Sequence, residues 1–260
     1  MAKHFSVIKI FRVARAGGFT ILCLLILFNL AGCSSRVNTL PTIGATEQEK
    51  IVKSFLQSIN DKDAQKVVEL LGTNMVYIEK YSDGTQDKFT LKKDIQDRIN
   101  TVIGNDTIMT VDEFQHPNTT TLVAIGKASD FVTKIGGFPQ GLDYTCKYTF
   151  NNGKISSMEL QRNKTDEDVL QEKTKGTIGI VLTEDDEEFV IEQCLNGKPA
   201  EKAGLKAGDR IEAVDGLKVA DMKHGMVEAT YRIRGEVGTQ VELTVNRDGK
   251  VFNVNVSRTE

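Results

Sequence analysis

The chain has 260 residues, enough for two domains that each bury a core of their own. Its 40% hydrophobic and 27% charged residues are the balance of a globular protein and exclude gross disorder. A net charge of −3 leaves no general basic field, so nucleic acid is not an expected partner.

The first segment differs in kind from the rest. Lys3, Lys9, Arg12 and Arg15 precede an apolar run from Phe19 to Leu30, which ends in Ala31-Gly32-Cys33. A basic stretch followed by a run shorter than the ~20 residues of a bilayer span has the form of a secretory leader. Leu30-Ala31-Gly32-Cys33 resembles the bacterial lipobox. That resemblance implies cleavage after residue 32, acylation of Cys33 with chains such as palmitate, and a place in the cell envelope. Ser34 after the cysteine implies the outer membrane, facing the periplasm. Loss of residues 1–32 would take the net charge from −3 to −7, so the body is expected to stand off an anionic membrane surface.

Residues 33–45 read as a tether, being small, turn-forming and without periodicity. Thr46 with Glu49 suggests a capping box, opening a helix with Ile51, Val52, Phe55, Leu56 and Ile59 on one face. Asp63 caps a second short helix that ends at Gly72. A strand is predicted over 75–78, a turn at Ser82-Asp83-Gly84, and a third helix from Leu91 to Gly104. Strands follow at about 107–114, 119–132, 141–150 and 154–161, the last two joined at Asn151-Asn152-Gly153. Three helices before a run of consecutive strands imply an α+β domain with an antiparallel sheet covered on one face.

The opening from Ile51 to Ala64, Leu70-Leu71 and the strand with Tyr77 resemble the NTF2-like superfamily. Over residues 46–161 the resemblance implies a cone, three helices wrapped by a curved antiparallel sheet around a pocket. In that superfamily some members are isomerases or cyclases and others bind or dimerise, so a homodimer through the cone is one expectation. Tyr77, Glu79, Asp112, Glu113, Asp130 and Tyr144 are the polar candidates near its strands. None sits in a motif that carries a catalytic role, and the simpler reading makes Tyr77 a residue of the cone mouth and Glu79 a solvated carboxylate. His116 has no His or Cys cluster around it, so no metal site is expected. Nothing in the chain calls for a cofactor.

Residues 162–175 are almost wholly polar and read as a linker or a short solvated helix before a second domain at 176–260. Cys146 and Cys194 fall in different domains and read as two separate thiols rather than a disulfide. In the second domain Gly204, Gly208 and Gly216 punctuate Ala203, Leu205, Ile211 and Val214 into a helical turn, a loop and a strand. Ahead of these stands Ile178-Gly179-Ile180. After them come Ile233-Arg234-Gly235 and the alternating strand Val241, Leu243, Val245. This order and spacing resembles a bacterial PDZ domain of the periplasmic-protease kind, a β-rich fold with two helices.

The PDZ resemblance implies that the backbone amides of Ile178, Gly179 and Ile180 take a peptide's terminal carboxylate. It also implies an edge strand through Val181 and Leu182, and a groove helix from about Met222 carrying Met226, Val227, Thr230 and Ile233. The expected partners are C-termini or strand-like segments of envelope proteins. His224 reads as an exposed residue at the helix start, and the acidic run 184–188 as a solvated turn. No Gly-x-Ser-x-Gly elbow or histidine-based triad appears, so the expectation is a binding module rather than an enzyme; the alternative is small-molecule binding or isomerase-like activity in the NTF2-like pocket, with the PDZ domain as recruiter.

Overall fold

The computed structural model describes residues 44–185 and 188–260. The leader, Cys33, the tether up to Ile43, and Asp186 and Glu187 of the acidic turn lie outside the described residues.

The first domain opens with α1 (Ala45–Asn60), which buries Val52, Phe55, Leu56 and Ile59 as its periodicity requires. Its start is not the expected one. Gly44 occupies the N-cap without a side-chain bond, and Thr46 lies inside the helix. Next come α2 (Ala64–Glu69), capped by Asp63 as anticipated, β1 (Leu71–Lys80), β2 (Gln86–Phe89) and α3 (Lys92–Gly104). The remaining strands are β3 (Ile108–Met109), β4 (Glu113–Asn118), β5 (Thr121–Ser129), β6 (Leu142–Asn151) and β7 (Lys154–Arg162).

The sheet runs β2-β1-β7-β6-β5-β3, with β4 also on β5, and it encloses α1 and α3 in the expected α+β cone. One pair departs from the antiparallel scheme: β1 lies parallel to β7, with Tyr77 opposite Met158. A parallel pair needs a long crossover, here everything from β2 to β6, which local alternation does not reveal. Asn152 and Gly153 both take positive φ, 52° and 70°, as the two-residue turn between β6 and β7 demands. Asn60 at the end of α1 fastens β3, accepting from the Met109 amide at 2.8 Å and donating to its carbonyl at 2.9 Å.

A short helix hidden in the expected strand, α4 (Phe131–Ile135), starts at Asp130, whose side chain and that of Thr133 form a reciprocal capping box. The polar stretch after β7 is α5 (Lys164–Thr174). It is held to the cone by buried Leu170 and by Glu167, whose carboxylate accepts the Ser82 amide at 2.8 Å.

The second domain is a six-stranded sheet in the order β13-β12-β10-β9-β8, with β11 on β10. Its elements are β8 (Ile180–Asp185), β9 (Glu188–Cys194), α6 (Pro199–Lys202), β10 (Arg210–Val214), β11 (Leu217–Lys218), α7 (Gly225–Ile233), β12 (Gln240–Arg247) and β13 (Lys250–Ser257). Leu205, Ile211, Val214, Val241, Leu243 and Val245 fill its core. The groove helix begins at Gly225, not Met222, because Met222 drops into that core. Arg258 is 8% exposed and crosses behind α7. Its guanidinium donates to the Arg232, Ile233 and Gln240 carbonyls, closing the helix C-terminus that would otherwise be left with unpaired acceptors. Cys146 is buried in the cone and Cys194 half-buried at the end of β9, both as free thiols.

One buried ion pair holds the loop before β10. Asp209, 1% exposed, receives Arg247 through Nε at 2.6 Å and Nη2 at 2.8 Å, and the Lys206 amide at 2.8 Å. Burial works against this carboxylate, but Arg247 and the Lys206 amide outweigh it and hold its pKa below the ordinary range. The pair therefore stabilises the fold at neutral pH, and its contribution is lost as pH falls through the depressed folded value. In Arg247→Met the buried carboxylate loses its countercharge, and stability at pH 7 is expected to fall. Urea unfolding at pH 7 and pH 3 checks this: the gap between the two proteins should narrow in acid, and a gap constant with pH contradicts the assignment.

Candidate functional site

The strand order leaves β8 at the sheet edge, paired to β9 on one side only. Facing it across a groove of about 320 Å³ stands α7. Ile180 and Leu182 line the groove from β8, and Met226, Thr230 and Ile233 line it from α7, at the i, i+4, i+7 spacing of one helix face.

At the closed end of the groove lies the loop Thr177-Ile178-Gly179, and the orientation of its peptide planes is fixed by its carbonyls. The Thr177 carbonyl accepts from the Thr259 amide at 2.8 Å, that of Ile178 from Ala200 at 2.9 Å, and that of Gly179 from Leu195 at 2.8 Å. In a trans peptide the N–H of the next residue points opposite to the C=O. Three carbonyls turned into the domain body thus turn the amides of Ile178, Gly179 and Ile180 away from it. The Ile178 and Gly179 amides donate to no group among the described residues. Gly179 takes φ +80°, and a Cβ there would come within 2.2 Å of the Lys198 Cβ. Only glycine fits this position without strain.

Two residues expected in the groove are elsewhere. Val181 is 37% exposed, because alternation along β8 turns it to the opposite side from Ile180. Val227 is 51% exposed, one residue past Met226 and hence about 100° around the helix. Thr177, Leu195 and Arg234 line the groove without having been anticipated. Arg234 follows directly on the groove helix, a position that its place after Ile233 could have signalled.

A second concavity, of about 350 Å³, occupies the inside of the cone. Tyr77, Glu79, Asp130 and Tyr144 line it, whereas Asp112 and Glu113 lie exposed on the outside. Glu79 is not solvated as its sequence context suggested. It is 5% exposed and held bidentately by Arg98 of α3, at 2.8 and 3.0 Å. Burial disfavours the Arg98 charge, but Glu79 outweighs it and keeps the guanidinium protonated. Asp130 is engaged as the cap of α4, and the Tyr144 hydroxyl donates to the Thr110 carbonyl at 2.9 Å. Neither carboxylate stands free as a base.

The mouth of the cone meets the back of α7. His224 is not exposed: its ring stacks on Phe131 at 4.2 Å between centroids, with Nε2 3.2 Å from Asp106. Tyr231, on the same face of α7, meets Phe131 edge-on and lines the cavity. His116 pairs with Glu49 at 3.0 Å. Among the described residues no group of three or more His, Cys, Asp or Glu gathers as a metal centre would require.

Residues 176–257 match the family model of the PDZ domain. The carboxy-terminal processing protease CtpA of Bacillus subtilis is 38% identical over 100 residues, which cover 38% of this chain and 21% of that protein. CtpB of the same organism is 32% identical over 116 residues, covering 43% of this chain and 23% of that protein. This chain thus spans about a fifth of the length of these relatives. An NTF2-like protein from Cytophaga hutchinsonii aligns with 45% of this chain and 90% of its own, at 9% identity and a TM-score of 0.36. With the open β8 edge, the glycine loop and α7 in place, the carboxy-terminal part of the chain is a PDZ domain.

Proposed function

We propose that this protein is a non-enzymatic adaptor of the cell envelope, held to a membrane by lipid on Cys33, whose PDZ domain grips C-terminal or strand-like segments of other envelope proteins. The observation that carries this reading is the set of outward amides at Ile178, Gly179 and Ile180, at the head of an unpaired strand edge. Buried backbone donors are almost always paired, so a row left open beside an apolar groove calls for an incoming chain. A peptide carboxylate would accept from the three amides, and its backbone would pair along β8. Its last side chain would lie among Ile180, Met226, Thr230 and Ile233, which suits an apolar residue.

Arg234 places a cation at the carboxylate end, while Glu184 and Asp185 stand at the far end of β8, a distribution that disfavours acidic residues upstream in the peptide. The named role of the relatives in carboxy-terminal processing fits a domain that handles chain ends. A tether to the membrane would raise the effective concentration of envelope partners, so a weak hold on each segment suffices. The outer membrane, facing the periplasm, is the proposed place.

Peptide capture by the full chain on an array of C-terminal sequences tests the groove. Gly179→Val, which strains the loop against Lys198, and Thr230→Arg, which fills the groove from α7, are each expected to weaken capture by tenfold or more, about 1.4 kcal/mol. Capture unchanged in both contradicts the proposal. The anchor has its own test in cells fed an alkyne-bearing palmitate analogue. Label should appear on the wild-type protein and vanish in Cys33→Ala; label retained in that variant removes Cys33 as the acylated residue.

A further inference from the structure

The groove helix α7 is fastened to the cone at a titratable point. His224, the N-cap residue of α7, makes no side-chain bond to its own helix. Its ring lies instead on Phe131 of α4, 4.2 Å between centroids and 18° from parallel, with Nε2 3.2 Å from the carboxylate of Asp106, just after α3. Tyr231, about two turns along α7, meets the same Phe131 edge-on at 5.8 Å. Asp106 and Phe131 both belong to the cone, so these contacts join a wall of the peptide groove to the first domain.

The charges around the imidazole are fixed, and the imidazole alone changes. Lys62, in the turn between α1 and α2, donates to the other oxygen of Asp106; this bond foremost, against the opposing effect of burial, holds the Asp106 pKa below the ordinary range. Burial works against the Glu228 carboxylate too, but Arg232 at 2.7 and 2.9 Å and the His224 amide at 3.2 Å outweigh it and lower its pKa. Lys223 is a further cation acting on Asp106, and Asp130, beside Phe131, is committed to the α4 cap. Both carboxylates therefore stay anionic across the range, about pH 5 to 8, in which imidazole gains its proton. A neutral ring offers Asp106 one polar contact. A protonated ring offers it an ion pair and turns the stack on Phe131 into a cation–π contact. The positive end of the α7 dipole opposes that proton, and Asp106 and Glu228 counter it. Protonation thus favours docked α7, and the gain is lost as pH rises and the proton leaves.

We propose that His224, Asp106 and Phe131 form a pH-sensitive latch that pins α7 to the cone in acid and loosens it towards neutral pH. Its consequence for capture rests on the adaptor reading. Met226, two residues from the latch, begins the wall that faces β8, and a pinned wall loses less freedom when a peptide enters, so the groove holds peptide more tightly in acid.

Hydrogen exchange of the α7 amides in the full chain, corrected for intrinsic rates, reads the latch without a ligand. Protection is expected to be about fivefold or more greater at pH 5.5 than at pH 7.5, and this difference should vanish in His224→Gln and in Asp106→Asn. His116→Gln, which removes the pairing with Glu49 elsewhere in the cone, should leave it intact. Calorimetric titration with an apolar-ended peptide at the same two pH values should show the matching gain in affinity in acid, absent from His224→Gln. Equal protection at the two pH values overturns the latch, as does a difference that survives His224→Gln. Peptide bound with equal affinity at both overturns its link to the groove. A pH-dependent latch on a chain that binds no peptide at either pH would strike the adaptor reading and leave the latch standing.

Discussion

Three consecutive carbonyls, those of Thr177, Ile178 and Gly179, are committed to the interior of the PDZ domain, and this one commitment orients the groove. Planarity of the peptide leaves the amides that follow them no direction but outward. The commitment requires a positive φ at Gly179, where Lys198 leaves no room for a Cβ. It also requires amide donors from three separate places: Leu195 just after β9, Ala200 of α6, and Thr259 in the segment after β13. The open edge is therefore a consequence of tertiary structure rather than of a flexible loop, and the direction of its donors is set by the fold.

The opposite wall depends on α7. This nine-residue helix is too short to persist alone, and it is held at its C-terminus by Arg258, through its core face by Ala229 and Ile233, and at its back by the cone. Because His224 and Tyr231 occupy the back face and Met226, Thr230 and Ile233 the front, the helix serves two concavities at once. The wall of the groove beside β8 and part of the wall at the cone mouth are set by the same element.

Much of this was legible in the sequence where a local rule had a single outcome. The apolar face of α1 followed from the spacing of Val52, Phe55, Leu56 and Ile59. The β6–β7 turn followed from Asn152-Gly153, and the amide loop from a glycine between two apolar residues ahead of a glycine-punctuated strand. What was illegible depended on distant partners. Arg98 sits on an amphipathic helix where a solvated charge and a buried one look alike until Glu79 is brought opposite. His224 resembled any polar residue at a helix start because Phe131 lies far away in sequence. The parallel β1–β7 pair leaves the alternation of either strand unchanged. The Asp130–Thr133 capping box was masked by the strand-like residues on both sides. Val181 and Val227 were placed in the groove by the PDZ resemblance and their apolar character, neither of which says which face of an element turns inward.

The central claim is that main-chain donors of the glycine loop hold a terminal carboxylate, and it is tested most directly by changing the ligand and leaving the protein intact. Calorimetric titration of the full chain with one apolar-ended peptide, as the free acid and as the C-terminal amide, isolates that group. The account predicts measurable affinity for the acid and a loss of tenfold or more for the amide. Equal affinity for the two would contradict it.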